Sequence, residues 1–168
     1  MAKINIKIEG VPYQVEEGLT ILEAARQCGY EIPSLCSFNH GECNQGSCRV
    51  CLVKATGARG LVASCVYPTN EGMEISISDP EAVKARRASV ELMLSNHNFH
   101  CQQCDKSERC ELLRVAHLVG AREDKYTGVK SETFLDQLTP SIVRDSSKCI
   151  LCGRCIARCQ NAHGLGIL

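Results

Sequence analysis

Thirteen of the 168 residues are cysteine, and eleven of those, together with one histidine, fall into three groups. In the first, Cys36, Cys48, Cys51 and Cys65 are spaced C-x11-C-x2-C-x13-C. Two irons bridged by sulfides need four thiolates converging from a loop, with the C-x2-C pair supplying two neighbouring ligands. Gly41 and Gly46 give that loop the freedom to curl. Cys43 is a rival, because Cys43, Cys48 and Cys51 also carry the C-x4-C-x2-C spacing of plant-type ferredoxins. Cys36 is preferred for its place directly after Ile32-Pro33-Ser34-Leu35, where the chain leaves a helix and enters the loop. Cys43 then reads as a buried thiol, and so does Cys28 on the apolar face of that helix.

The second group is His97, Cys101, Cys104 and Cys110, H-x3-C-x2-C-x5-C. His97 follows Val90 and Met93 at helical spacing and precedes the three cysteines, which marks it as a ligand; His100 is the competing histidine. A zinc site of three cysteines and one histidine is the rival metal assignment. Replacing a thiolate by a neutral imidazole removes one negative charge from a cubane and raises its reduction potential. The third group, Cys149, Cys152, Cys155 and Cys159, reads C-x2-C-x2-C-x3-C. Three cysteines at two-residue gaps wrap one cubane, whereas zinc sites split their ligands into separated pairs. In two-cluster ferredoxins the fourth cysteine of such a run serves the other cluster, and no second run follows here. Either Cys159 closes its own cluster, a partner donates a ligand, or this is the front of a longer design.

A disulfide framework suits the chain poorly, since the cysteine count is odd and the segment after Met1 alternates polar and apolar rather than forming a secretory signal. Lys plus Arg and Asp plus Glu are 19 each, giving zero formal net charge. No single-sign field is available for nucleic acid or an anionic membrane, and no apolar run approaches the roughly 20 residues of a membrane span. The expectation is a cytoplasmic protein with no nucleic-acid partner and no membrane span.

The elements that must position these residues are legible in part. Ile4, Ile6 and Ile8 alternate as on a half-buried strand, Gly10 and Pro12 mark a turn, and Tyr13 and Val15 continue a second strand. Thr20 with Glu23 forms a capping box opening a helix through Ile21, Leu22, Ala24, Ala25 and Cys28, closed by Gly29. Cys51–Thr56 and Met73–Ser78 read as further strands, the latter with Met73, Ile75 and Ile77 on one face. Asp79-Pro80 starts a helix running to about Asn96 with an apolar stripe of Val83, Val90, Met93 and Leu94. Another helix spans Glu108–Val119, stopped by Gly120. The fold class is α+β, divided as 1–78, 79–120 and 121–168. These are a β-grasp [2Fe–2S] ferredoxin domain, a small helical [4Fe–4S] domain with one histidine and three cysteines as ligands, and a linker with a partial bacterial-ferredoxin-like [4Fe–4S] module.

Taken in this order, the three groups resemble the N-terminal iron–sulfur region shared by the large iron–sulfur subunit of complex I, NAD(P)-linked multimeric [FeFe]-hydrogenases and NAD-dependent formate dehydrogenases. The likeness is carried by Gly46-Ser47-Cys48-Arg49-Val50-Cys51-Leu52-Val53, by Ser95-Asn96-His97, by Cys101-Gln102-Gln103-Cys104-Asp105-Lys106-Ser107, and by Asp145-Ser146-Ser147-Lys148-Cys149-Ile150-Leu151-Cys152-Gly153-Arg154-Cys155. The resemblance implies a [2Fe–2S] centre on Cys36, Cys48, Cys51 and Cys65, a [4Fe–4S] centre on His97, Cys101, Cys104 and Cys110, and the beginning of another on Cys149, Cys152 and Cys155. The chain departs from that family in lacking the second C-x2-C-x2-C run and the cysteines of a hydrogen-activating cluster. Gly164 and Gly166 are no dinucleotide fingerprint, because no strand–loop–helix unit surrounds them.

These readings describe a subunit with one [2Fe–2S] and one to two [4Fe–4S] clusters and no visible site for turning over a substrate. It would relay single electrons between a flavoprotein NAD(P)H-oxidising subunit and a further iron–sulfur or catalytic redox subunit or ferredoxin. Asp105, Lys106 and Arg154 lie beside ligands, where they either tune potentials or form an ordinary solvated loop. Two alternatives differ in class: the front part of a longer catalytic hydrogenase or formate dehydrogenase chain, and a zinc-stabilised structural or interaction protein.

Overall fold

The computed structural model describes residues 2–38, 43, 45–98 and 100–166; Gly41, expected to help the first loop curl, lies outside them. The chain divides into two compact units, residues 1–86 with 153–168 and residues 87–152.

In the first unit, β1 (Lys3–Ile8) buries Ile4, Ile6 and Ile8 and exposes the polar residues between them, as the two-residue period of a strand requires. It pairs antiparallel with β2 (Val11–Glu16). The two-residue turn, Glu9-Gly10, has positive φ at both positions (51° and 77°), the mirror-image turn whose twist matches the flanking strands. Pro12 therefore lies inside β2 opposite Lys7 rather than in the turn. It is tolerated there because β2 is an edge strand, where a missing N–H breaks no ladder. The expected capping box is present: Thr20 opens α1 (Ile21–Gln27), with Glu23 N donating to Thr20 Oγ1 and Thr20 N to the Glu23 carboxylate.

Next come β3 (Leu52–Ala55), β4 (Leu61–Ala63) and β5 (Glu74–Ser76). The sheet order is β2-β1-β5-β3-β4, parallel between β1 and β5 and antiparallel elsewhere. The short β4 had no alternating pattern to reveal it, yet its register, Leu52 opposite Ala63, sets Cys51 beside Ser64. The Glu9 carboxylate accepts hydrogen bonds from Ser78 N (2.9 Å), Ser78 Oγ (2.6 Å) and Ile77 N, tying the end of β5 to the first turn.

Helix α2 (Pro80–Asn96) starts where Asp79-Pro80 predicts, with Asp79 Oδ1 accepting from Glu81 N and Ala82 N. Its buried stripe differs from the expected one. Ala82, Arg86, Val90 and Leu94 are buried at four-residue spacing, whereas Val83 and Met93 are only half-buried. An arginine occupies a position that an apolar count skips.

In the second unit, short 3-10 turns at Cys101–Gln103 and Ser107–Arg109 lead into α3 (Glu111–Val119). This helix begins later than the expected Glu108, because Cys110 is extended and acts as its cap, its sulfur accepting from Leu113 N at 3.5 Å. Gly120, at φ 63°, closes it. Arg87 Nε donates to the terminal Val119 carbonyl at 2.9 Å, a cation at the negative end of a helix. A hairpin of β6 (Leu135–Asp136) and β7 (Arg144–Asp145) precedes a 3-10 turn at Ser146–Lys148. Helix α4 (Arg154–His163) then belongs to the first unit. Among the described residues no helix is long and apolar enough to cross a membrane.

Candidate metal centres

The thiols of Cys36, Cys48, Cys51 and Cys65 are all buried and meet one another. Hydrogen bonds from the Cys48 and Cys65 thiols draw the Cys36 pKa well below its ordinary value, and the same bonds push those of Cys48 and Cys65 up. Cys51, hydrogen-bonded chiefly to Cys65, is lowered to about 6 against the opposing effect of burial. Cys36 and Cys51 are thus disposed toward the thiolate, the form that binds metal, with Cys48 and Cys65 as their thiol donors.

Local structure explains the convergence. Cys36 follows the buried Ile32 and Leu35, which anchor the loop entry in the core. Arg49 has φ 55°, a left-handed kink between Cys48 and Cys51. Backbone N–H groups of Leu35, Cys36 and Val50 lower the Cys48 pKa, and that of Cys65 lowers Cys51; amides aimed at sulfur stabilise its negative charge. Gly46 has φ 61°, and a Cβ there would sit 3.3 Å from Val66 Cγ2, so glycine lets the loop close against the Cys65 segment. That segment is held from below by α1, whose first two amides donate to Tyr67 O and Ser64 O, each at 2.9 Å.

Cys43 is also buried, and its carbonyl accepts from Phe38 N at 3.1 Å. Cys28, at the end of α1, is half-buried, and burial raises its pKa. Two neighbours of the thiol group escaped the sequence reading. The fully buried Ser64 hydroxyl helps hold the Cys51 pKa down, and its signal was adjacency to Cys65. Arg86 is the second; a basic residue four positions from both Ala82 and Val90 was its only trace.

In the second unit His97 directly follows α2 and is half-buried, and burial, with Lys130 as a lesser contributor, lowers its pKa. The neutral ring is the ligating form. Its carbonyl accepts from Lys130 Nζ at 3.2 Å, and Asn98 N donates to Ser147 O at 3.0 Å. Cys101 begins one 3-10 turn, Cys104 follows it with its amide bonded to Cys101 O, and Cys110 caps α3; all three are half-buried. His100 is exposed and its Nδ1 is paired with Asn98 Oδ1.

The last group is divided between the units. Cys149 is exposed, and its sulfur accepts from Leu151 N at 3.4 Å; Cys152 is half-buried. In the first unit, Cys155 is exposed on α4 and Cys159 is buried. Arg154 donates to Ser37 O at 3.1 Å, and its guanidinium lies 5.4 Å from the Phe38 ring centre, beside Cys36. Among the described residues no three His, Cys, Asp or Glu side chains are grouped as one metal ion would need. A [2Fe–2S] centre contains its own sulfides and asks for four thiolates around a larger object, and the buried first group fits that requirement in donor type and polarity.

Residues 1–80 match the family described as 2Fe-2S iron-sulfur cluster binding domain, and residues 86–125 the NADH-ubiquinone oxidoreductase-G iron-sulfur binding region. The whole chain is 37% identical to part of the NADP-reducing hydrogenase subunit HndD of Solidesulfovibrio fructosivorans, covering 29% of that protein. It is 33% identical to the NAD-reducing hydrogenase HoxS subunit gamma of Cupriavidus necator, over 91% of this chain and 64% of that one. With the NADH dehydrogenase [ubiquinone] iron-sulfur protein 1 of Solanum tuberosum it shares 31% identity over 96% of this chain and 22% of the relative. The chain therefore spans less than two thirds of the length of each of these relatives. A crystal structure of NAD+-reducing [NiFe]-hydrogenase superposes with a TM-score of 0.87 at 29% identity, covering 96% of this chain and 68% of that chain. The chain thus carries a [2Fe–2S]-binding domain and a [4Fe–4S]-binding region, and its homologues are the complex I 75 kDa subunit and subunits of NAD(P)-reducing hydrogenases.

Proposed function

We propose that this chain is a one-electron relay subunit of an NAD(P)-linked redox complex, working in the cytoplasm. It would take electrons from a flavoprotein NAD(P)H-oxidising subunit and pass them to a further iron–sulfur or catalytic redox subunit or ferredoxin. The observation that carries this reading is the convergence of four buried thiols, Cys36, Cys48, Cys51 and Cys65, under backbone amides directed at sulfur. Relatives named for NADP-reducing and NAD-reducing hydrogenases favour the pyridine-nucleotide side of the assignment.

In this reading the sheet and α1 form a β-grasp ferredoxin domain. Its four cysteines hold a [2Fe–2S] centre, His97, Cys101, Cys104 and Cys110 hold a [4Fe–4S] centre, and Cys149, Cys152, Cys155 and Cys159 hold another in a ferredoxin-like module. When bound, such centres supply reversible one-electron storage without making or breaking substrate bonds. The chain's own residues exclude water around the sulfurs of the first group, orient N–H groups toward them, and keep a neutral imidazole at position 97.

The test is iron, sulfide and zinc per chain after anaerobic purification, with EPR of the same reduced sample. About ten irons, with one two-iron and two four-iron signals, is the expected result. About six irons would remove the C-terminal centre, and zinc in place of iron would overturn the relay.

A further inference from the structure

The guanidinium of Arg86 is an enclosed charge beside the first thiol group. Arg86 is 6% exposed and lies in the buried stripe of α2 between Ala82 and Val90. Its Nε donates to the Leu52 carbonyl at 2.6 Å and its Nη2 to the Ile77 carbonyl at 2.7 Å. Both partners are neutral, and none of the ion pairs recorded among the described residues includes Arg86. A buried cation usually has a hydrogen-bonded carboxylate. Here the negative group that acts on it most strongly is Cys51, with Glu9 second. Leu52, to which Arg86 is braced, directly follows Cys51, so the guanidinium is fixed one residue from a proposed ligand. Arginine keeps its proton even when burial opposes the charge.

Resting on the relay reading above, we propose that Arg86 is the resident counter-cation of the [2Fe–2S] centre and sets that centre's reduction potential upward. A [2Fe–2S] centre on four thiolates is a net anion, and reduction adds one electron and one further negative charge. In the low-dielectric interior a fixed positive charge favours the reduced state more than the oxidised one. The electron comes from the flavoprotein partner in the complex, or from dithionite in the test, and Arg86 neither gains nor loses a proton. Its double brace to Leu52 and Ile77 keeps the charge at one distance, which a flexible surface lysine would not do.

The experiment is an EPR-monitored redox titration of the full chain, comparing the wild type with Arg86→Gln, Arg86→Met and Arg86→Lys. At a fixed potential the neutral variants should shift the oxidised-to-reduced ratio of the two-iron centre at least tenfold toward oxidised, equivalent to about 59 mV for one electron. Arg86→Lys, which keeps the charge and loses the forked brace, should stay within about threefold of the wild type, and the four-iron signals should not move. A neutral variant within about threefold of the wild type overturns the proposal. So does a lysine variant that falls as far as the neutral ones, since that assigns Arg86 to bracing alone. Should neither neutral variant assemble the centre, Arg86→His is titrated at about pH 5.5 and about pH 8.5, either side of histidine's usual pKa near 6.5. The two-iron potential must then fall as pH rises, against a flat wild type, and a flat histidine profile overturns the role of charge. A wild-type chain without any two-iron signal fails the relay reading and this proposal together, whereas a two-iron signal indifferent to Arg86 fails only the second.

Discussion

Cys36 and Cys43 present the same thiol in the same loop, and spacing alone does not separate them. The C-x2-C pairs, the run after Ser147 and the histidine before Cys101 stand out because their intervals match those of metal chelation. Between Cys36 and Cys43 the intervals were silent, and the preference for Cys36 rested on its place after Leu35; which sulfur turns toward Cys48 and Cys65 is a property of the folded loop. The folded chain brings the Cys36 thiol to those two, while Cys43 pairs through its backbone with Phe38. Cys36→Ser should therefore abolish or visibly reshape the two-iron EPR spectrum, and Cys43→Ser should leave its line shape and iron content unchanged. A two-iron spectrum that survives Cys36→Ser but is lost in Cys43→Ser would reverse the assignment. Arg86 and Ser64 were illegible for a different reason. Hydrophobic patterning treats a charge or a hydroxyl as an outward-facing residue, yet both are buried beside the thiols.

Elements whose signal is local were read well. β1 has strict alternation, α1 its capping box, and α2 an Asp-Pro start. β4 and α4 lack such signals: the first is three residues long, and the second interleaves cysteine and arginine with few apolar positions. The cap of α1 is more than a boundary marker. It fixes a helix whose first two amides hold Ser64 and Tyr67, on either side of Cys65. Thr20→Ala removes the side-chain acceptor for Glu23 N and should cost about 1 kcal/mol, the usual loss for an N-cap. The measurement is the urea midpoint for bleaching of the two-iron absorbance at neutral pH, which should fall in Thr20→Ala, while the urea dependence of the four-iron EPR signals stays as in the wild type. Equal sensitivity of all the signals would mean that the cap supports the chain generally and not the Cys65 segment.

At the scale of the whole molecule, the sequence order of the three cysteine groups is not their order in the folded units. The chain leaves the first unit within α2, passes through the histidine-bearing unit, and returns at Gly153 to the unit where it began. Gly153 sits at φ 73°, a backbone that β-carbon-bearing residues rarely adopt. The return carries two proposed ligands, Cys155 and Cys159, and it also carries Arg154 to the carbonyl of Ser37 and the ring of Phe38, immediately after Cys36. Under the proposed ligand assignment, one short segment would serve two centres in two ways, by ligation at its own cluster and by covering the loop of another. A chain ending at Cys152 should therefore show two separable losses. Its iron content should fall by about four per chain as one four-iron signal disappears. Its two-iron signal should persist but bleach several-fold faster in air than in the full chain, because the Ser37–Phe38 segment has lost its covering guanidinium. Full chain carrying Arg154→Ala isolates the second effect, with iron content retained and only the two-iron centre made more sensitive to air. Unchanged bleaching in both would reduce Arg154 to a surface contact and leave α4 with ligation as its single contribution.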